Sequence, residues 1–192
     1  SLRQQKDRRS AWLWAAKLPE VGPPAPPTAA LSALLGLRPT DILAGDWGPA
    51  AVSAGIPYLV IPVRDADVLA RAELDLQRWK EILKGWWANQ VYVVAPMDGP
   101  GGTRYRARMF GPAIGIPEDP ATGSAATAFP AWLAPRLGTT DGILTVTIEQ
   151  GAGLGRPSTL MIEAELDDGD LVAVRVGGTA VAIAEGTLRI PD

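Results

Sequence analysis

The stretch Gly115-Ile116-Pro117-Glu118-Asp119-Pro120-Ala121-Thr122-Gly123-Ser124-Ala125-Ala126 holds the residue types and spacing that chemistry needs. Pro117 and Pro120 fix their own φ and restrict the residues before them, so Glu118-Asp119 is expected to be extended and stiff. Thr122-Gly123-Ser124 then opens an Ala-rich segment that reads as a helix. Gly123 lets backbone come close to a ligand, and the first N–H groups of a helix, here those up to Ala125, have no partners inside it. Those donors and the positive helix end suit a carboxylate or phosphate. Asp119 beside such an anion holder is placed to move a proton α to a carboxylate. Spacing alone also allows a plainer reading, in which Thr122 or Ser124 caps the helix and Asp119 accepts hydrogen bonds from its own loop.

The rest of the composition narrows the chemistry. The 192 residues contain no Cys and no His, which removes disulfides, thiolate ligands, Cys nucleophiles and the commonest general base and metal ligand. No metal site is expected. Acid–base work must fall to Asp, Glu, Lys, Tyr or water. A net charge of −3 gives no basic patch for nucleic acid. No run of about 18 apolar residues suggests a membrane span. The basic start Ser1–Arg9 leads into a strand-like stretch rather than a signal peptide's apolar core, and a cytoplasmic location is expected.

These residues need a scaffold, and hydropathy patterning supplies one. Strands are expected at Ser10–Ala16 (Trp12 and Trp14 on one face), Pro57–Val63, Gln90–Ala95, Thr103–Phe110, Ile143–Glu149, Thr159–Glu165, Leu171–Val176 and Ala180–Ala184. Helices are expected at Ala29–Leu35, with Thr28 as N-cap and Gly36 beyond the end, and at Asp65–Ala72 and Asp75–Gly85. In the last, Leu76, Trp79, Ile82 and Leu83 make one apolar face. Asp98–Gly102 and Asp167-Asp168-Gly169-Asp170 read as hairpin turns, and Gly22–Pro27 as a Pro-rich linker. Ser124–Leu133 is apolar almost all round, so it must be buried on every side. The fold class is therefore α+β: a curved, mostly antiparallel sheet rolled around one central apolar helix.

Arg108-Met109-Phe110-Gly111-Pro112, followed by Gly115–Ala125, resembles the signature of the PhzF-like phenazine-biosynthesis family. Glu149-Gln150-Gly151, Gly155-Arg156-Pro157-Ser158, Val176–Val181 with Gly186, and Val52–Leu59 fit the same pattern, from about Leu18 to Leu188. The resemblance implies a diaminopimelate-epimerase-like fold with two pseudo-symmetric halves. It also implies isomerisation or epimerisation without a cofactor, by proton transfer on a small carboxylated metabolite. By the match, Asp119 falls on an active-site acid, and Gly123 and Ser124 fall on the helix opening that holds the substrate carboxylate. Relatives that epimerise amino acids use Cys at such openings, and here Ser124 stands there. The family's first half carries a Gly-Asn-Pro stretch and a catalytic Glu, and no Gly-Asn-Pro occurs here. The expectation is a C-terminal portion: residues 1–20 a remnant strand of a missing half, 21–192 the C-terminal PhzF-like domain, inactive alone. The alternative is a non-catalytic anion-binding or interaction domain.

Other residues weigh less. Arg156 can meet a carboxylate, but a structural Arg at a strand turn is the better reading. Ser53 and Gly55 read as a turn, Asp167–Asp170 lacks the spacing of a calcium loop, and Trp86-Trp87 reads as core or an edge plug. Trp12 and Trp14, on a strand expected to lack its neighbour, suggest a homodimer formed through an open edge.

Overall fold

The computed structural model describes residues 2–5, 8–99, 101–181, 183–187 and 189, with side chains from Ser10 onward. Its strands are β1 (Leu2–Gln5), β2 (Arg8–Trp14), β3 (Glu20–Val21), β4 (Ala50–Ser53), β5 (Pro57–Pro62), β6 (Gln90–Pro96), β7 (Arg104–Gly111), β8 (Ile116–Asp119), β9 (Gly142–Gln150), β10 (Ser158–Asp167) and β11 (Asp170–Thr179). The helices are α1 (Thr28–Leu34), α2 (Ala66–Arg71), α3 (Leu76–Ile82) and α4 (Gly123–Leu137). All the strands join one sheet in the order β1-β2-β11-β10-β9-β7-β6-β5-β4-β3, with β8 paired to β7. The β5–β6 and β7–β9 pairs are parallel and the rest antiparallel.

The sheet curls because α4 has no face that tolerates water. Every residue from Ala125 to Ala134 is buried, and the helix touches β3, β4 and β5 on one side and β10 and β11 on the other. Phe129 stacks on Trp132 at 5.2 Å, and Tyr105 meets Phe129 edge-on at 5.0 Å. Trp132 Nε1 donates to the Gly48 carbonyl at 3.0 Å, so its one polar atom is satisfied inside the roll.

β5 and β6 are buried on both faces, which is why Pro57–Val63 reads as an unbroken apolar run. Tyr58, Val60, Tyr92 and Val94 turn towards α4. Leu59, Ile61, Val91 and Val93 turn outward beneath α1, α2 and α3. Asp65 and Asp75 cap α2 and α3, accepting from Val68 N at 2.8 Å and Gln77 N at 2.8 Å. Among the described residues no helix is long and apolar enough to cross a membrane.

Several expectations are corrected. Thr28 is the first helical residue rather than the cap, because Pro27 enters α1 without a side-chain cap. Leu76 is 56% exposed, leaving Trp79 and Leu83 as the buried face of α3. The expected strand Ala180–Ala184 is absent from its described residues, because β11 itself runs on to Thr179 against Ser10. β2 is not an open edge, since β1 and β11 flank it. Trp12 lies flat over Gly177, where a Cβ would come within 2.4 Å of the indole, and is only 8% exposed. Trp87 lies over Gly22 in the same manner and plugs the Pro-rich run, as an edge plug would.

Asp41 ties the outer layer together. It is 1% exposed and pairs with Arg38 at 3.0 Å, Arg64 at 3.2 Å and Arg71 at 3.0 Å. Hydrogen bonding from Arg38, first among its causes, holds its carboxyl well below the usual carboxylate range. A depressed folded-state pKa contributes stability above the unfolded value near 4 and loses it as pH falls further. Asp41→Asn is therefore expected to lower the thermal midpoint at pH 7 and to flatten its fall between about pH 4 and pH 2. Calorimetry across that range checks it, and an unchanged acid limb would count against the role.

Candidate active site

The end of β9 sets the position of the acid. β9 pairs with Arg104–Ala107 of β7, and β8 takes up the next stretch, Met109 against Asp119 and Gly111 against Ile116. Gln150, opposite Ala107, thus arrives where β8 ends. Its Nε2 donates to the Asp119 carbonyl at 2.7 Å and to Thr122 Oγ1 at 2.9 Å, and its Oε1 accepts from Thr122 N at 3.3 Å. Gln150 is 3% exposed and continues the inward series Leu144, Val146, Ile148 of β9. A buried amide in that series makes sense only because the Asp119–Thr122 loop satisfies it.

Two more devices hold the loop. Arg108 makes a bidentate pair with Glu118, Nε to Oε1 at 2.8 Å and Nη2 to Oε2 at 2.7 Å. Its Nη1 donates to the carbonyl of Ala72 at 2.6 Å, just past α2. This fork fixes β8 to the outer layer, and Lys could not reproduce it. Gly151 sits at φ +82, where a Cβ would lie 2.4 Å from the Arg156 carbonyl and 2.5 Å from that of Pro120. Only glycine allows the two loops to touch there.

The expected site residues are brought together. Thr122 Oγ1 donates to Asp119 Oδ2 at 2.6 Å. Because that hydroxyl is committed to Asp119, Thr122 occupies the N-cap position of α4 without capping it. The backbone N–H groups of Gly123, Ser124 and Ala125 are therefore left as the free donors of the helix. Ala125 itself is buried, so only its amide is at issue. The Ser124 side chain is exposed, and its Oγ lies 2.6 Å from the hydroxyl of Tyr58 on β5. Burial, first among the causes, and the charge of Asp119 push the Tyr58 phenol up from its ordinary value, while the bond to Ser124 works the other way.

A cavity of about 630 Å³ opens at this end of the roll. Gly123 and Ala121 line it together with Leu13, Leu160, Val176 and Gly178, and no charged residue lines it. A neutral, partly apolar hollow thus adjoins the helix end, which supplies its positive potential. Arg156 does not line the cavity. Its side chain is exposed, its amide donates to the Gly151 carbonyl at 3.0 Å and its carbonyl accepts from Ser158 Oγ at 3.1 Å, so its backbone braces the turn. Ser53 Oγ accepts from Gly55 N at 3.0 Å in a local turn. Gln150 and Tyr58, which entered only within longer matching stretches, are the members to which residue order assigned no role of their own. Gln150 carried a signal, as the one polar residue on an apolar strand face; Tyr58 carried none within its apolar run.

A curved sheet rolled around one buried helix is the diaminopimelate-epimerase-like architecture. The chain belongs to the PhzC-PhzF family, described as phenazine biosynthesis-like protein, whose model matches residues 2–186. That match begins at Leu2, so the likeness is not confined to the stretch from Leu18, and a C-terminal portion alone is not supported. An uncharacterized isomerase of Mesorhizobium japonicum is 39% identical over 178 residues, covering 91% of this chain and 59% of the relative. A trans-2,3-dihydro-3-hydroxyanthranilate isomerase of Pseudomonas fluorescens is 44% identical over 87 residues, 45% of this chain and 31% of the relative. The crystal structure of a Bacillus anthracis phenazine biosynthesis protein of the PhzF family superposes with a TM-score of 0.79 at 20% identity, covering 98% of this chain and 64% of that one. The chain thus spans less than two thirds of these relatives' lengths.

Gly151→Ala is expected to cost about 2 kcal/mol or more, from the left-handed strain and the two carbonyl contacts. Chemical denaturation measures it, and a loss below about 0.5 kcal/mol would show that the two loops need not touch.

Proposed function

We propose that this chain supplies one wall of a cofactor-independent isomerase or epimerase site, acting by proton transfer on a small molecule that bears a carboxylate. The observation that carries the reading is the uncapped helix opening beside Asp119, with Thr122 turned away to hold the acid. The amides of Gly123, Ser124 and Ala125 receive the carboxylate. Asp119, fixed by Thr122 and Gln150, takes or returns the proton on the adjacent carbon. The relative that isomerises a dihydro-hydroxyanthranilate supports a carboxylated substrate with an unsaturated ring, and the uncharged cavity gives such a body room.

A proton-transfer site needs a second group on the opposite side of the substrate. The family resemblance assigns that group to a Glu in another half, and the chain spans less than two thirds of its relatives' lengths, so this chain by itself is proposed to bind without efficient turnover. A cytoplasmic protein that self-associates is part of the same reading. Contact between copies is assigned to the outer face, where Trp14 is 53% exposed.

Titration of the labelled chain with benzoate, followed by amide NMR, tests the anion holder. Shifts centred on Gly123, Ser124 and Ala125 are expected, and their absence overturns the reading. Asp119→Asn is expected to keep benzoate binding within about threefold while lowering the chain's slow solvent-deuterium incorporation into a dihydro-hydroxyanthranilate about 10²-fold or more. Equal incorporation in the variant would remove Asp119 from the chemistry. Light scattering checks self-association: a stable monomer at high concentration contradicts it.

A further inference from the structure

We propose that Tyr58 is the positioning residue of this site, its hydroxyl fixing the Ser124 side chain so that Ser124 presents its own O–H to the bound carboxylate. The inference rests on the anion-holding reading of the helix opening and adds a fourth donor to the three amides.

All three tyrosines of the chain lie in the core around α4. The hydroxyls of Tyr92 and Tyr105 are buried without a hydrogen-bond partner in the structure. The hydroxyl of Tyr58 instead reaches the second residue of α4, across 66 positions of sequence, at 2.6 Å from Ser124 Oγ. Strand β5 directs the ring: Tyr58 turns inward in alternation with Val60 and meets Tyr92 edge-on at 6.3 Å. Tyr58 is 2% exposed, whereas Ser124 is exposed. The bond thus runs from a rigid buried group to a side chain at the surface of the helix opening.

The direction of the bond follows from acidity. A phenol is a stronger donor than an aliphatic alcohol, and a buried O–H that donates to nothing is costly. Tyr58 therefore donates and Ser124 Oγ accepts. The single proton of Ser124 is left to point away from the core, to the side on which the amides of Gly123–Ala125 are open. The same bond selects one of the three staggered rotamers of an otherwise exposed serine. A carboxylate accepts and never donates, so a hydroxyl pre-set as a donor serves it, and one free to rotate serves it less well. Burial and the charge of Asp119 keep the phenol protonated, so the arrangement persists through neutral pH.

The test is a double-mutant cycle on benzoate affinity, read from the amide shifts of the full chain. Tyr58→Phe keeps the ring and removes only the hydroxyl, and is expected to weaken binding about tenfold. Ser124→Ala is expected to weaken it at least as much, and the double variant no further than Ser124→Ala alone. Ser124→Thr, which keeps the hydroxyl, should recover affinity to within about threefold of the starting protein. Unchanged affinity in Tyr58→Phe, or losses from the two single variants that multiply, overturns the proposal. A second readout needs no change at Tyr58: the ring 13Cζ resonance of Tyr58 should move in Ser124→Ala and hold in Ser124→Thr, and equal shifts in both variants also overturn it. If the unmodified chain shows no benzoate shifts at Gly123–Ala125, the anion-holding reading itself fails. That outcome is distinct from an intact site that ignores Tyr58.

Discussion

The burial of α4 is the constraint on which the rest depends. A helix that is Ala, Phe, Trp and Leu all round exposes apolar surface in any arrangement except full enclosure. The sheet meets that demand by curling until β3–β5 and β10–β11 reach the same helix from opposite sides. Enclosure has a consequence at the helix end: it begins at Ala125, while Gly123 is half-buried and Ser124 exposed, so the rim of the sheet borders whatever the free amides of Gly123–Ala125 meet. The uncharged lining of the adjoining cavity leaves the helix end as the local source of positive potential.

The proposed function then rests on how stiffly the loop into α4 is held. Pro117 and Pro120 restrict it locally, but three long-range devices set its place. Arg108 forks onto Glu118 and ties β8 to the carbonyl of Ala72. Gln150 bridges Asp119 and Thr122 from the end of β9. Gly151 allows the Pro120 carbonyl to approach closely. The outcome is a hydroxyl diverted from capping to acid-holding, which leaves the helix donors available. A capping Thr122 would have satisfied one of them and blunted the site.

Much of this was legible in residue order. The buried helix, the strands from Pro57 to Val176 and the hairpin at Asp167–Asp170 follow from periodicity and turn chemistry, which are local. The stretch Ala180–Ala184 misled because its alternation resembles a strand, while β11 runs on only to Thr179 against β2. The open edge at β2 misled differently: whether a strand has neighbours is not a local property, and with β1 and β11 beside it Trp12 is buried while Trp14 stays exposed. Leu76 fits the period of α3, yet it is 56% exposed.

Residue order alone placed a stiff acid, Asp119, before a helix opening at Gly123, and showed that these 192 residues bring no Cys or His to it, because proline restriction and helix ends act over a few residues. The bond from Thr122 to Asp119 lies within one loop, as the plainer reading of the spacing allowed, but what holds Thr122 there and which partner Ser124 takes came from tertiary contacts. Thr122 turns to Asp119 because Gln150, 28 residues away, occupies the far side of the loop. Ser124 meets Tyr58 because β5 is rolled beneath the helix. Hydrogen bonds between segments so far apart in the chain carry no local pattern, and they exist only once the sheet has closed around α4.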